Sequence, residues 1–190
     1  MKSHLFTTLL TSTLMLASVA AYANDDYLDI TQAGTKNQIA SNQSGSGDSN
    51  VISQTGTYGL INVSQLSNNE IANINQSGNL NEVNLVQSGG YGENTATINQ
   101  SGEGNVATVN ELNNAATTTV NQSGTSNNAN VLQTGFLETA SLTQSGSFGS
   151  IKLTQTDASS QATITQGGNG NSVIATQGIN PIRSISTSAR

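Results

Sequence analysis

Asn94-Thr-Ala-Thr-Ile-Asn-Gln100-Ser-Gly102-Glu-Gly104-Asn105-Val-Ala-Thr-Val-Asn-Glu111 is the stretch whose pattern decides the fold. On either side of Gly102 apolar and polar residues alternate with period two, the signature of short strands joined by a turn. The two halves also match. Asn94 and Asn105, Ala96 and Ala107, Ile98 and Val109, Gln100 and Glu111 each stand eleven residues apart.

The step extends in both directions. Gln32, Gln43, Gln54, Gln65, Gln76, Gln87, Gln100, Gln122, Gln133, Gln144, Gln155, Gln166 and Gln177 share one register, and Glu111 fills the rung between Gln100 and Gln122. A two-residue insertion within 88–93 stretches the interval from Gln87 to Gln100. A Gly recurs two residues after most rungs, where a tight turn needs φ > 0. Asn recurs six residues before a rung, at Asn37, Asn81, Asn94, Asn105, Asn127 and Asn171. Ala or Val, then Ile or Val, fill the inward positions between, so the unit reads Gln-x-Gly-x-x-Asn-x-Ala/Val-x-Ile/Val-x-Gln.

One such unit buries a single face and needs a partner. Two units close a 22-residue coil with facing strands of about seven residues, and stacked coils place identical residues above one another. The fold expected is all-β: a two-sheet solenoid of about seven coils, with Gln and Asn amides bonded along the axis in ladders. Glu111 is the one charge in the Gln ladder. Desolvation there raises its pKa or leaves an unpaired charge, which makes it a candidate gatekeeper of stacking.

Before this array, Met1-Lys-Ser-His4 is positively charged and Leu5 to Ala20 is largely apolar; Ala21-Tyr-Ala23 supplies a small-x-small cleavage pattern. Residues 1–23 read as a secretory signal peptide. Residues 24–31 form an N-terminal segment, 32–177 the repeats, and 178–190 a tail with Pro181, Arg183 and Arg190. Residues 24–190 hold four basic against eleven acidic residues, a formal net charge of −7, and no Cys, His, Met or Trp. So acidic a chain cannot neutralise phosphates, which argues against nucleic-acid binding. Lacking His and Cys, it also lacks the common general bases and thiol nucleophiles. The reading is of a structural protein with no enzymatic activity, cofactor, metal or small-molecule substrate.

The columns resemble the curlin family, subunits of curli amyloid fibres on Gram-negative bacteria, whose repeat reads Ser/Asn-x5-Gln-x-Gly-x-Gly-Asn-x-Ala-x3-Gln. Residues 94–111 fit it apart from Glu111, and the similarity covers nearly all of 29–177. It implies a secreted subunit of an extracellular fibre at the cell surface, acting in biofilm formation and adhesion. The implied partners are other copies, other curlin subunits and outer-membrane secretion and assembly factors. The even step, the Gly90-Tyr-Gly-Glu-Asn-Thr-Ala96 segment and the two tail Arg are similar to the minor, nucleating subunit; the major subunit is the alternative. Arg183 and Arg190 are then candidate surface contacts. A reading of another class comes from the outward face of one sheet. There Thr95, Thr97, Thr117, Thr119, Thr139, Ser141, Thr143, Thr163 and Thr165 form ranks suited to ice binding.

Overall fold

In a computed structural model, the described residues are 4–10, 16–21, 25–90, 92–112, 115–178 and 185–188, with only the backbone described for 4–21 and for Ser188. The strands, in chain order, begin with β1 (His4–Leu10), β2 (Leu16–Ala21), β3 (Tyr27–Thr35) and β4 (Gln38–Gln43). Next come β5 (Ser49–Thr57), β6 (Leu60–Gln65), β7 (Ile71–Asn79), β8 (Glu82–Gln87), β9 (Thr95–Glu103) and β10 (Val106–Glu111). The series closes with β11 (Thr117–Thr125), β12 (Asn128–Gln133), β13 (Thr139–Ser147), β14 (Ser150–Gln155), β15 (Gln161–Gly167), β16 (Ser172–Gln177) and β17 (Ile185–Ser188).

Odd-numbered strands form one parallel sheet in chain order, here sheet A, and even-numbered strands form sheet B. The chain is a β-solenoid: β3 to β16 make seven coils of about 22 residues, each with one strand per sheet. Register is strict. Gln32 stacks on Gln54, Gln54 on Gln76, and Gln76 on Gln100 across the two-residue insertion, which the corner before β9 absorbs.

Burial follows the period-two pattern. Ile52, Ile74, Ile98, Val120, Leu142 and Ile164 of sheet A face Ile61, Val83, Ala107, Ala129, Ile151 and their neighbours of sheet B in one dry core. Outward residues alternate with these along β3 to β16, up to the Gln or Glu rung of each strand. Buried side chains fill the space between the sheets, so truncating one removes contacts and opens a cavity.

The two strands of a coil are unequal, against the expectation of seven residues in each. Those of sheet A from β3 to β13 run nine residues and those of sheet B six. The cause is the Gly two after each sheet A rung. Gly34, Gly56, Gly78, Gly102, Gly124 and Gly146 hold φ between +98° and +115°, and pairing continues through them. A Cβ on any of them would lie 1.8–2.1 Å from the next glycine's carbonyl oxygen, so the column stacks backbone on backbone with no room for a side chain. Gly45 and Gly135, in the other corner, lack the positive φ expected of them; there it is space that excludes a Cβ, which would sit 1.8 Å from the Ser67 oxygen or 2.6 Å from Asp157.

Each corner then turns on one left-handed residue, and most of these are not glycine. Lys36, Tyr58, Leu80, Ser126 and Phe148 mark the corner into sheet B, and Asp25, Asn69, Ala115, Leu137 and Ser159 the corner into sheet A, with φ between 55° and 64°. The N–H groups of Tyr58, Leu80, Ser126 and Phe148 donate to the carbonyls of Thr35, Thr57, Glu103 and Thr125, one coil back.

At the N-terminal end β1 and β2 pair with β3 and β4, but the repeat columns stop there: Leu9 stands opposite Gln32 and Ala21 opposite Gln43. At the other end the tail rejoins the stack, as β17 lies against β15 with Thr187 opposite Gln166.

Candidate functional site

The Gln rungs form two continuous lines of buried amides. In sheet A each Nε2 donates to the Oε1 of the next coil, from Gln32 through Gln54, Gln76, Gln100, Gln122 and Gln144 to Gln166, at 2.8–3.0 Å. In sheet B the same bonds run from Gln43 through Gln65 to Gln87 and from Gln133 through Gln155 to Gln177, at 2.9–3.2 Å. The second amide hydrogen ties the coil together crosswise: Gln43 donates to the Tyr27 carbonyl, Gln65 to Ser49 and Gln122 to Val106, each sixteen residues back. A buried amide so fully bonded avoids the desolvation cost that otherwise keeps Gln on surfaces.

Glu111 interrupts the second line. Its Oε2 accepts from Gln87 Nε2 at 2.9 Å, while its Oε1 is buried without a partner. A carboxylate has no hydrogen for Gln133, whose Oε1 accepts instead from the Thr118 hydroxyl across the core at 2.6 Å. Burial pushes the Glu111 pKa up to about 7, with the Gln87 amide and the nearby Thr118 hydroxyl acting against the rise.

The residues six before each rung separate into two columns, because an eleven-residue step alternates between the corners. Asn37, Asn81, Asn105 and Asn127 share the corner into sheet B, directly ahead of β4, β8, β10 and β12, and Asn171 stands in the same place before β16. Asn94 does not belong with them. It sits in the other corner, whose column is Asp26, Asp48, Glu70, Asn94, Ala116, Glu138 and Ser160, all buried. Nor do the Asn side chains bond one another as the Gln do. Asn105 Oδ1 accepts the Asn127 N–H at 3.1 Å, and its Nδ2 donates to the carbonyls of Ser101 and Gly124 at 2.8 and 3.0 Å.

In the acidic corner the acceptor role is kept and the donor role lost. Asp26 Oδ1 accepts the Asp48 N–H at 3.1 Å and Asp48 Oδ1 the Glu70 N–H at 3.0 Å, but both Oδ2 atoms are buried without partners. Asn94 Nδ2 reaches both oxygens of Glu70, and Glu138 Oε2 accepts from the Gly135 N–H at 2.7 Å. Burial is the main cause of raised pKa values here, to about 6 for Asp48 and about 8 for Glu70, and it raises Glu138 as well. Asp26 adds to the rise at Asp48, and Glu111 and Asp48 add to that at Glu70.

Outward, Thr95, Thr117 and Thr139 form one rank and Thr97, Thr119, Ser141 and Thr163 a second. The third rank is largely Asn: Asn75 donates to Asn99 and Asn99 to Asn121, and beyond them Thr143 pairs with Thr165. Tyr58, Phe136 and Phe148 project from corners and are 48% to 67% exposed. Lys36 lies 4.5 Å from the Tyr58 ring centre and donates to its hydroxyl. Among the described residues no group of three or more acidic or His side chains is arranged to hold a metal ion. Arg183, Arg190 and Tyr91 lie outside the described residues.

Stacked parallel strands, two glutamine lines and repeating corners define a two-sheet β-solenoid. Comparison with family models, curated proteins and solved structures returns no match to this chain.

Proposed function

We propose that this chain is a secreted structural subunit of an extracellular curli-type amyloid fibre, acting in biofilm formation and adhesion by templated stacking of β-strands. The observation that carries the reading is the state of the two ends. Gln32 Oε1 and Gln43 Oε1 are buried acceptors without donors, and the Gln column ends there, since the residues in register with them are Leu9 and Ala21. At the far end β16 closes sheet B with no further strand among the described residues, and β17 covers only part of β15. Such edges are templates for another copy. The loss of the columns in 4–21 also supports the reading of 1–23 as a leader removed on export.

The resemblance to minor curlin favours the surface-associated nucleating subunit over the major one. Other curlin subunits and outer-membrane assembly factors are its partners under this reading. Purified residues 24–190 should form thioflavin-binding fibrils with a meridional reflection at about 4.7–4.8 Å. A soluble monomer that stays so for days at neutral pH would remove the fibre reading. Deleting 178–190 should release a nucleating subunit from cells while the repeats still polymerise; unchanged surface retention would favour the major subunit.

The two Thr ranks of sheet A support a second reading, ice binding. It calls for thermal hysteresis in a solution of monomer, and fibrils without hysteresis would dismiss it.

A further inference from the structure

The corner columns set two chemistries in one geometry. Asn37 shows what the place requires: its Oδ1 accepts the Gly59 N–H at 2.9 Å, and its Nδ2 donates to the carbonyls of Ala33 and Gly56 at 2.8 and 3.0 Å. Asp48 meets the first demand through Oδ1, and its Oδ2 stands where an Asn would carry its hydrogens. Glu111 is the same case on the Gln line, with Oε2 accepting from Gln87 and Oε1 idle at the point where every other rung donates. Glu138 repeats the pattern with Oε2 bonded to Gly135 and Oε1 idle. A protonated carboxyl is one acceptor and one O–H donor, the nearest isostere of a carboxamide.

We propose that Asp48, Glu111 and Glu138 act as carboxamide substitutes that must hold protons in the folded coil, and that Glu70, buried beside Asp48 with both oxygens on the Asn94 amide, holds a proton with them, so that acidification drives the chain into the solenoid. Among the described residues no cation offsets these groups. The charged or titratable neighbours facing them are all acidic: Asp26 and Glu70 for Asp48, Asp48 and Glu111 for Glu70, Asp157 for Glu138. The described lysines lie elsewhere. Lys36 bonds Tyr58 in the opposite corner, and Lys152 is exposed on the outer face of β14. Four buried carboxyls with no counter-ion among the described residues are favoured in the neutral form.

The sign follows from linkage. The folded chain holds protons that the unfolded chain releases at ordinary carboxylate values of 3.8 to 4.5. The stabilisation is therefore complete below about pH 4 and is lost as pH rises through the folded values of about 6, 7 and 8 for Asp48, Glu111 and Glu70. Each fully linked proton changes the folding constant about tenfold per pH unit, so the constant should fall on the order of 100-fold or more between pH 6 and pH 8. That window lies well above the sequence pI of about 4.4, so loss of surface charge does not produce the same profile.

The inference rests on the coil, and only its bearing on fibre growth depends on the function proposed above. The full chain is refolded from denaturant at low concentration, and the denaturant midpoint is followed by far-ultraviolet circular dichroism from pH 5 to pH 8. Wild type should show the steep loss. The triple variant Asp48→Asn/Glu70→Gln/Glu111→Gln should reduce it to less than about tenfold, and the exposed pair Glu93→Gln/Glu103→Gln should leave it intact. A flat wild-type profile, or an undiminished slope in the triple variant, overturns the proposal. Should the triple variant not fold, carbon-detected NMR of the wild-type carboxyls decides. Signals of Asp48, Glu70 and Glu111 that titrate near pH 4 in the folded state overturn it, and the same three titrating above pH 5.5 sustain it. Fibrils forming equally at pH 6 and pH 8 would sink this inference and spare the fibre reading. A pH-dependent fold that never stacks would do the reverse.

Discussion

The two corners of the coil close the same gap with different side chains. At the corner into sheet B, Asn105 gives two hydrogens and accepts one, and nothing in that set changes with pH. At the corner into sheet A, Asp48 accepts one hydrogen and leaves its other oxygen buried and idle. A buried polar atom without a partner costs about 1–3 kcal/mol. Carboxamides thus make a corner that holds under all conditions, and carboxyls a corner that holds only when protonated. Both corners bend through a left-handed residue, and the difference that responds to pH lies in the side chain one position later.

The largest effect should come from the backbone column that serves the Asn corner. Gly124→Ala would put a Cβ 2.0 Å from the Gly146 oxygen at φ +103°. The expected loss is above about 3 kcal/mol at every pH, seen as failure to fold. Gly170→Ala, with φ +68° and nothing within 4 Å, should cost only about 1 kcal/mol in the same melt. A tolerated Gly124→Ala would mean that the stacked corner is not what sets the coil.

Asn105→Ala comes next. It strands the Asn127 N–H and the carbonyls of Ser101 and Gly124, for about 2–4 kcal/mol, equally at pH 5 and pH 8. Thermal melts at both pH values, with hydrogen exchange at the Asn127 amide, check it.

Glu111→Gln should act in the opposite sense and only where the acid is ionised. Because its folded pKa of about 7 lies above the ordinary value of 4.5, its contribution is complete below about 4.5 and lost as pH rises through 7. The amide should therefore add about 1–2 kcal/mol at pH 8 and close to nothing at pH 4. It should also shorten the assembly lag at neutral pH if stacking follows folding. An equal effect at both pH values would separate Glu111 from the pH response.

The smallest effect belongs to the exposed rim. Tyr58→Phe removes the Lys36 bond but keeps the ring beneath the ammonium, and should shift stability by less than about 0.5 kcal/mol.

The solenoid and its Gln lines were legible in the sequence because a period of two fixes the inward face and a period of eleven fixes the stacking. Glu111 could be placed on the same grounds. The acidic corner was present but hidden, since the residues six before each rung read as one mixed column until the step is doubled to 22. Then Asp26, Asp48, Glu70 and Glu138 fall together and Asn37, Asn81, Asn105, Asn127 and Asn171 fall apart from them. Other features had no local signal. The extension of sheet A through its glycines depends on pairing with the next coil, and the Thr118 bond to Gln133 crosses between sheets. Left-handed Tyr58, Leu80 and Phe148 run against what their side chains prefer.

Those bends have a kinetic consequence. A bulky residue held left-handed costs about 1 kcal/mol, and none of these corners would persist in an isolated coil. Tyr58, Leu80, Ser126 and Phe148 keep the conformation while their N–H groups grip a carbonyl one coil earlier. The first coil must therefore be creased with nothing to hold it, whereas each later one folds along a crease already made. Growth by addition to an existing stack should be fast, spontaneous initiation rare, and a chain whose first coil is held in place by some other surface would spare all the rest that wait.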